Sequence, residues 1–303
     1  MPSAFFVPST IAAAVRWPTL GRVEQCSDAQ TQAYLARLGV QAAPPSVAGL
    51  VELHAAHLDR VSYETLWIHL GEQRTIDPHD SVHEIADRGR GGYCFQLNGA
   101  FSALLSTLGY RVTRHLGAVH AADAPPTALG NHMVLLVHDL PNDRNPGGTW
   151  YVDAGLGDGL TAPMPLVSGE ARQQPFTVAL RPSPWPIATW SFVHDAAGSF
   201  PGMVFSERSV ELAEFAGDHR ELSTSPTSVF TTNLLAIRRD GTTVHRLRND
   251  TLTLVTDAGQ TSTRLDSAAF WRELEERFLL DVSAIDAASR ARLWSRVQHL
   301  AQR

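Results

Sequence analysis

The segment from Asp87 to Tyr110, DRGRGGYCFQLNGAFSALLSTLGY, constrains the fold of this chain most strongly. It joins a glycine-rich turn to a cysteine and then to apolar residues at helical spacing, which predicts an amphipathic helix that ends at Gly109. Cys94 therefore lies in or just before the first helical turn, where free backbone N–H groups and the helix dipole favour a thiolate. An isolated cysteine is also often a small buried hydrophobe, so its partners elsewhere in the chain must decide whether it is a nucleophile.

Composition and charge exclude several classes of protein. At 303 residues the chain is long for one compact core, and its net charge of −6, without a basic stripe, argues against nucleic acids and anionic membranes as partners. Two cysteines, Cys26 and Cys94, give no disulfide framework and predict a cytoplasmic protein. No apolar run is long enough to cross a membrane. The stretch from Met1 to about Arg22 lacks a basic leader and is predicted to be an N-terminal extension rather than a secretory signal.

Thirteen histidines raise the question of a metal site. The closest pair, His54 and His57, lies in a predicted helix without acidic or cysteine partners at ligand spacing. Because zinc sites need three or four convergent ligands, we expect no metal, and we interpret these histidines as solvated or core residues.

Helical signals dominate the first third of the chain. Ser27 is predicted to cap a helix that ends at Gly39, Ser46 to cap a second and Asp80 to cap a short third. Together with the cysteine helix, these segments predict a helical unit that ends near Gly109.

The remaining two thirds have a different character. Short runs rich in β-formers, punctuated by Pro and Gly clusters, follow Tyr110 and predict a β-barrel or sandwich of about one hundred residues. The final third combines strand-like runs (VFTTNLLAIRR, TTVHRL, TLTLVT) with a helical region from Ser267, in which apolar residues again form one face.

A hairpin after the cysteine helix supplies two partners for the thiol. Its strands, NHMVLLVH and TWYVD, are joined by the turn-rich segment from Asp139 to Gly148. Folding about this loop places His132 and Asp153 opposite each other to within a residue or two, with Cβ atoms about 5 Å apart if they are paired directly. Such pairs also occur as plain structure, but with Cys94 upstream the three residues form a nucleophile, a base and an orienting carboxylate. We therefore predict that they are catalytic.

Three segments, RGGYCFQLNGAF, NHMVLLV and YVDAGLG, resemble the arylamine N-acetyltransferase family. That family shares an Arg-Gly-Gly-aromatic-Cys-x-Gln-x-Asn motif, a His that opens a strand and a Val-Asp-x-Gly segment. The stretch LSTSPTSVF is similar to the family's Thr/Ser-Ser-Pro-x-Ser stretch. The resemblance implies an α+β fold of three domains, a helical bundle (residues 1–109), a β-barrel (110–210) and an α/β lid (211–303), around a cysteine-protease-like catalytic core.

The resemblance also implies a reaction. Cys94 would take an acetyl group from acetyl-CoA and pass it to an arylamine, arylhydrazine or N-hydroxyarylamine, with His132 as base and Asp153 as its orienting group. A backbone oxyanion site at the Cys94 N–H is expected. Acetyl-CoA is then a co-substrate, and no permanently bound cofactor is expected. An amide synthase of the same fold that acts on a carrier-bound polyketide chain, a thioester or amide hydrolase, and a binding protein with a relict site are the alternatives.

Further site residues follow from the same resemblance. Thr227 and Ser228, with neighbouring Ser225, are similar to the stretch that contacts the coenzyme, although hydroxyls beside a proline turn are also common structural features. Tyr93 and Leu156 are assigned to substrate binding. Leu156 stands where many family members carry an aromatic residue, so we expect a different amine selectivity.

Two acidic residues, Glu64 and Asp158, are interpreted in different ways. Where the family usually has Pro-Phe-Glu-Asn-Leu, this chain has VSYETL, and the retained Glu64 is predicted to pair with Arg90 and hold the cysteine turn. If exposed, that pair would contribute less than about 1 kcal/mol. Asp158 could favour a cationic acceptor, but we interpret it as a solvated loop residue.

Overall fold

The structure is a computed structural model, and it describes residues 23–121, 124 and 126–302. The predicted N-terminal extension, and with it the interpretation that it is not a secretory signal, lies outside these residues. No helix within the described ranges combines the length and the apolar character needed to span a bilayer.

Helices occupy both ends of the chain. Their bounds are α1 (Asp28–Leu38), α2 (Val47–Arg60), α3 (Leu66–Leu70), α4 (Pro78–Ala86), α5 (Cys94–Thr107), α6 (Ala216–Thr224), α7 (Val229–Thr232), α8 (Ser267–Glu276) and α9 (Ala287–Leu300). The caps predicted for the first two are confirmed: the Ser27 and Ser46 hydroxyls accept backbone N–H groups, and Gly39 ends α1 in the left-handed conformation.

The predicted cap of α4 is wrong. Asp77, not Asp80, is the cap, because Pro78 occupies the first helical position, where its missing N–H leaves no hydrogen bond unmade. The Asp77 carboxylate accepts the N–H of His79 at 2.8 Å, and Asp80 accepts the hydroxyl of Thr75 instead.

Helix α5 is the central helix of the N-terminal half. It begins at Cys94, as predicted, and Gly109 follows it with φ of +90°. The prediction that only one face is buried is wrong, since every residue from Cys94 to Leu105 is buried. The polar positions tolerate burial because they have partners; Ser102, for example, bonds the carbonyl of Gly99 and the guanidinium of Arg114.

Strands form two antiparallel sheets. Their bounds are β1 (Tyr63–Glu64), β2 (Arg111–His120), β3 (His132–His138), β4 (Trp150–Val152), β5 (Met164–Pro165), β6 (Gly169–Gln173), β7 (Phe176–Pro182), β8 (Trp190–Val193), β9 (Gly202–Ser209), β10 (Leu235–Asp240), β11 (Thr243–Arg248), β12 (Thr251–Thr256) and β13 (Gly259–Arg264). The larger sheet has the order β5-β4-β3-β2-β9-β8-β7-β6. It is curled but open, with β5 and β6 as its edges among the described residues, so the predicted barrel is not closed.

The second sheet has the order β1-β10-β11-β12-β13 and draws its first strand from the N-terminal half. Tyr63 and Glu64 pair with Ile237 and Ala236 of β10, so the first third of the chain is not purely helical. The predicted strand VFTTNLLAIRR is half wrong, since VFTT forms α7 and β10 begins only at Leu235.

Buried apolar side chains form three clusters. One packs the N-terminal helices against β3, a second packs α8 and α9 on the smaller sheet, and a third lies mainly on the larger sheet. Leu66 belongs to the second cluster, and Val244 and Val255 belong to the third. Packing therefore crosses the predicted boundaries at 109 and 210, which stay predictions.

Candidate active site

Cys94 is held at the start of α5 by two close backbone approaches. A Cβ on Gly155 would lie 2.8 Å from the Cα of Cys94, and a Cβ on Gly91 would lie 1.9 Å from the carbonyl oxygen of Ser62. Only glycine fits at these two points. The thiol is buried, with 2% of the residue exposed.

The hairpin brings His132 and Asp153 to this thiol. Leu135 of β3 pairs with Val152 of β4, which leaves His132 and Asp153 two positions from direct opposition, within the predicted range. His132 Nε2 donates to Asp153 Oδ2 at 2.8 Å. Its side chain is also hydrogen-bonded to Cys94, and Nδ1 is the ring nitrogen left for that contact. The structure thus brings together the three residues predicted to be catalytic.

The Asp153 carboxylate is fully buried and has further donors. Asn98 Nδ2 donates to Oδ1 at 2.7 Å, the Gly155 N–H donates to the same oxygen at 3.1 Å, and the Tyr151 hydroxyl donates to Oδ2 at 3.0 Å. Because both carboxylate oxygens accept hydrogen bonds, the carboxylate is fixed in position and the free-energy cost of its burial is offset.

The electrostatics of His132 follow from this contact. Burial alone would lower the pKa of His132, but the charge and hydrogen bond of Asp153, with a further contribution from Cys94, raise it to about 10. The imidazole is therefore cationic at neutral pH, beside the sulfur.

Asn98 and His54 are site residues that the sequence reasoning missed. Asn98 lies one helical turn after Cys94, and besides Asp153 it bonds the carbonyl of Met133 at 2.7 Å and the N–H of Ala154 at 2.9 Å. An asparagine among the apolar residues of this helix was the available signal, because its amide needs partners when buried. His54 Nε2 donates to the backbone carbonyl of Asp153 at 3.0 Å.

The two histidines of α2 are core residues, one of the two interpretations given above. Both are fully buried, and burial lowers the pKa of His54 to about 4 and that of His57 to about 3, so both are neutral. Over the described part of the chain, no group of three or more His, Cys, Asp or Glu side chains could hold a metal ion.

Glu64 and Arg90 form a buried pair beneath the cysteine turn. Arg90 Nη2 lies 3.1 Å from Glu64 Oε1, and the side chains are 3% and 0% exposed, so the exposed-pair alternative is wrong. Arg74, which the sequence reasoning missed, lies 3.4 Å from the same oxygen and donates to the carbonyl of Gly91 at 3.0 Å. Burial alone would raise the pKa of Glu64, but these guanidiniums hold it below its usual value.

A cavity of about 230 Å³ opens at Cys94 and His132. Most of its lining is apolar, and Leu156, Phe200 and Phe230 supply part of it. The structure therefore places Leu156, which is predicted to bind substrate, in the lining of the same cavity as Cys94.

Tyr93 lies elsewhere. Its ring is fully buried, and its hydroxyl donates to His219 Nδ1 at 2.5 Å, while His219 Nε2 donates to the carbonyl of Arg74 at 2.8 Å. In this position Tyr93 ties α6 to the cysteine turn and does not line the cavity.

The predicted coenzyme-contacting hydroxyls form the turn between α6 and α7. Ser228 accepts the N–H of Phe230 at 3.2 Å and donates to the carbonyl of Leu222 at 2.6 Å, and the Ser225 and Thr227 hydroxyls lie 3.1 Å apart. Thr227 is exposed, and Leu222 and Phe230 line the cavity. The turn thus lies at the rim of the cavity, and its contact with a coenzyme stays a prediction.

The interpretation of Asp158 as solvated is wrong. Its side chain is fully buried; the Ser199 N–H donates to Oδ2 at 3.0 Å, the Ser199 hydroxyl donates to Oδ1 at 2.5 Å, and Arg246 Nη1 lies 3.3 Å from Oδ2. Burial would raise the pKa of Asp158, but contacts with His194, Ser199 and Arg246 hold it below its usual value.

Known proteins resemble this chain in sequence and in fold. The N-acetyltransferase family model matches residues 46–287. An arylamine N-acetyltransferase / N-hydroxyarylamine O-acetyltransferase of Salmonella typhimurium is 36% identical over 47% of this chain and 50% of its own length, so the chain spans about half of that relative. The pineal gland isozyme of arylamine N-acetyltransferase from Gallus gallus is 30% identical over 66% of this chain and 74% of its own.

A solved structure extends the similarity over most of the fold. The arylamine N-acetyltransferase of Mycobacterium marinum in complex with CoA has a TM-score of 0.79 and 27% identity, and the match covers 89% of this chain and 99% of that one. With a family model that matches most of its length, this chain belongs to the arylamine N-acetyltransferase family.

Proposed function

We propose that this chain transfers an acetyl group from acetyl-CoA to the nitrogen of an aromatic amine or hydrazine, or to the oxygen of an N-hydroxyarylamine, through a thioester on Cys94. The observation that carries the proposal is the contact of Cys94 with a cationic His132, held by Asp153, at the end of an apolar cavity. This is the arrangement that nucleophilic catalysis by a thiolate requires.

In the first half-reaction the Cys94 thiolate, paired with the His132 imidazolium, attacks the carbonyl carbon of acetyl-CoA. The new S–C bond forms, the bond to the coenzyme sulfur breaks, and the departing CoA thiolate takes the proton of His132. The backbone N–H of Cys94 is proposed to stabilise the oxyanion, since it lies at the start of α5 and has no intrahelical partner.

In the second half-reaction the acceptor attacks the acetyl carbon of the thioester. Its nitrogen forms the amide bond, the S–C bond breaks, and neutral His132 accepts the proton from the nitrogen, which restores the thiolate and imidazolium. An aromatic amine is neutral at physiological pH and can attack without a prior deprotonation, which suits the apolar lining of the cavity.

The donor site is proposed beside this cavity. A wider cleft of about 840 Å³ shares Ser199, Val229, Leu235 and Ile237 with the cavity and could hold the long arm of a CoA thioester. The CoA-bound Mycobacterium marinum relative supports CoA as the carrier. We propose that Thr227, Ser228 and Ser225 contact the coenzyme from the α6–α7 turn.

The proposal does not extend to the amide synthase, carrier protein or hydrolase alternatives, because no described contact favours them. The proposed location is the cytoplasm, where the unpaired thiols of Cys94 and Cys26 remain reduced.

Intact-mass measurement tests the proposal. After mixing with acetyl-CoA, the wild-type chain is expected to gain one acetyl group and to lose it on addition of anisidine, with acetylanisidine as the product. Cys94→Ala is expected to remain unmodified and to lose transfer, while Cys26→Ala, a matched control at the other free thiol, behaves as wild type. Full transfer by Cys94→Ala, or acetyl-CoA hydrolysis that is as fast without an amine, would contradict the proposal.

A further inference from the structure

Two hydrophobic side chains of different shape, Leu156 and Phe200, line the cavity. Leu156 stands where the resembling family often carries an aromatic residue, and Phe200, from the loop between β8 and β9, lines the same cavity. Phe200 packs against the buried cluster that includes Leu156. Tyr63 and Phe230 also line the cavity, but they pack against the cluster of the N-terminal helices, so Phe200 is the aromatic lining residue on the side of Leu156.

The Phe200 ring has a fixed orientation. Its centroid lies 4.6 Å from that of His194, with an interplanar angle of 66°, and 6.3 Å from that of Phe192. Both neighbours are buried, so they form a rigid backing on the side away from the cavity. A ring held in this way can present a flat apolar surface to a ligand at little entropic cost.

Asp158 fixes the backbone next to this ring. Both of its carboxylate oxygens bind Ser199, one through the N–H and one through the hydroxyl, and Arg246 provides the countercharge. Because Asp158 lies five residues after Asp153, one short loop orients the base and also anchors the segment that carries Phe200.

The chemistry of the cavity selects the class of ligand that this ring would meet. Both nearby carboxylates, Asp153 and Asp158, are buried and saturated with donors, so neither is available to bind a cationic amine. Apart from the Cys94–His132 pair, the described lining residues are uncharged, and most are apolar. An uncharged planar acceptor therefore fits best.

We propose that Phe200, positioned by Asp158 through Ser199, is an aromatic wall against which the acceptor ring packs, on the side of the cavity that the aliphatic Leu156 also lines. This inference rests on the proposed acetyl transfer and concerns only its second half-reaction. Phe200 is a binding residue, and Asp158 is a positioning residue.

The test compares two nucleophiles that share a reacting group but differ in the ring. Acetylated enzyme is prepared with acetyl-CoA, and its rate of deacetylation is measured with phenylhydrazine and with hydrazine. Phe200→Leu is expected to lower the phenylhydrazine-to-hydrazine ratio roughly tenfold, the order expected for the loss of one aromatic contact. Phe200→Tyr should retain the ratio. Val193→Ala, an exposed position on neighbouring β8, serves as the control.

A rescue variant makes the test specific. Leu156→Phe combined with Phe200→Leu returns a ring to the cavity from the other position and is expected to recover most of the lost ratio. Asp158→Asn is expected to lower the ratio in the same direction, whereas a merely structural role would slow both nucleophiles equally.

The outcomes separate the two proposals. If the wild type forms no acetyl-enzyme, acetyl transfer itself fails. If the acetyl-enzyme forms but Phe200→Leu leaves the ratio unchanged, or slows both nucleophiles alike, the assignment of Phe200 is overturned and the proposed transfer stands.

Discussion

Asp153 and Asp158 lie in the same loop, five residues apart, and both are fully buried, yet their partners give them different tasks. Asp153 binds an imidazole that also contacts the Cys94 sulfur, so its charge acts on a proton beside the thiol. Asp158 binds Ser199 and the guanidinium of Arg246, and the His194 imidazole lies 3.5 Å away, but no described hydrogen bond joins these partners to the Cys94 sulfur. The charge of Asp158 therefore holds a backbone segment in place.

The difference shows that burial and a salt bridge alone do not identify a catalytic carboxylate. Both aspartates would be selected by a search for buried, charge-paired acids near a cavity. What separates them is whether the partner can exchange a proton with a reacting atom. His132 can, because it is hydrogen-bonded to Cys94. Arg246 stays protonated, and His194 packs against phenylalanine rings rather than against the sulfur.

The largest effect on the rate of reaction is expected from Asp153→Asn. An amide cannot stabilise the imidazolium as a carboxylate does, so formation of the acetyl-enzyme should slow by about 10³-fold or more. Stopped-flow or quenched-flow intact mass with acetyl-CoA measures this rate directly. Thr261→Ala, on the exposed strand β13 and outside the lining of the proposed donor cleft, is the control. Acetylation of Asp153→Asn within tenfold of the wild-type rate would refute the role assigned to Asp153.

A smaller effect, in the other half-reaction, is expected from Asp158→Asn. The asparagine amide has the shape of the carboxylate but lacks its charge, so the contact with Arg246 weakens and the loop that carries Ser199 becomes less rigid. We therefore expect the rate of transfer to aromatic acceptors to fall roughly tenfold, as for other positioning groups. Rates of acetylation and deacetylation are measured separately. If acetylation fell as far as in Asp153→Asn, the contrast between the two aspartates would be removed.

Glu64 is a third buried carboxylate and sharpens the contrast, because it touches neither the cavity nor the base. Glu64→Gln removes the fully buried carboxylate that Arg90 and Arg74 share, while Glu72 and Glu84 remain beside them. It is expected to lower the free energy of unfolding by about 1–3 kcal/mol. Transfer should fall only several-fold, through the Gly91–Gly92 turn that Arg74 and Glu64 hold. Urea unfolding and the transfer assay check the two effects, and unchanged stability would contradict a structural role for the pair.

The sequence was sufficient to predict that Cys94 opens a helix and that His132 lies near Asp153, because local patterns determine both. The approach of this helix to β3 depends on contacts between distant segments, such as that of Asn98 with Met133. The family motif carried the rest of the assignment.

Contacts between distant segments could not be read in this way. Asp158 meets Arg246 across 88 residues, and Tyr63 pairs with β10 from the other end of the chain. No periodicity or spacing encodes such contacts, so Asp158 was interpreted as solvated and the first third as purely helical. The burial of α5 on all faces was missed for the same reason, since its polar residues find their partners on β2 and β3.

The last effect concerns the pH dependence of stability, and it again separates Asp153 from Asp158. In the folded chain the pKa of His132 is raised to about 10, whereas a free histidine titrates near about 6.5. Between these values the folded state keeps a proton that the unfolded state has lost, so the stabilising contribution is complete below about pH 6.5 and is lost as pH rises through about 10. The slope from this one proton is at most about 1.4 kcal/mol per pH unit.

Urea unfolding at several pH values from 6.5 to 10 measures this contribution. The stability of the wild type should fall more steeply with pH than that of Asp153→Asn, in which His132 has no carboxylate to retain its proton. His83→Gln removes an exposed histidine and is expected to parallel the wild type. Because Asp158→Asn leaves the His132–Asp153 contact in place, its free energy of unfolding should fall with pH as steeply as that of the wild type. At each pH its stability should be lower than that of the wild type. Parallel slopes for the wild type and Asp153→Asn would show that the proton on His132 is not held by Asp153, and the distinction between the two aspartates would then rest on geometry alone.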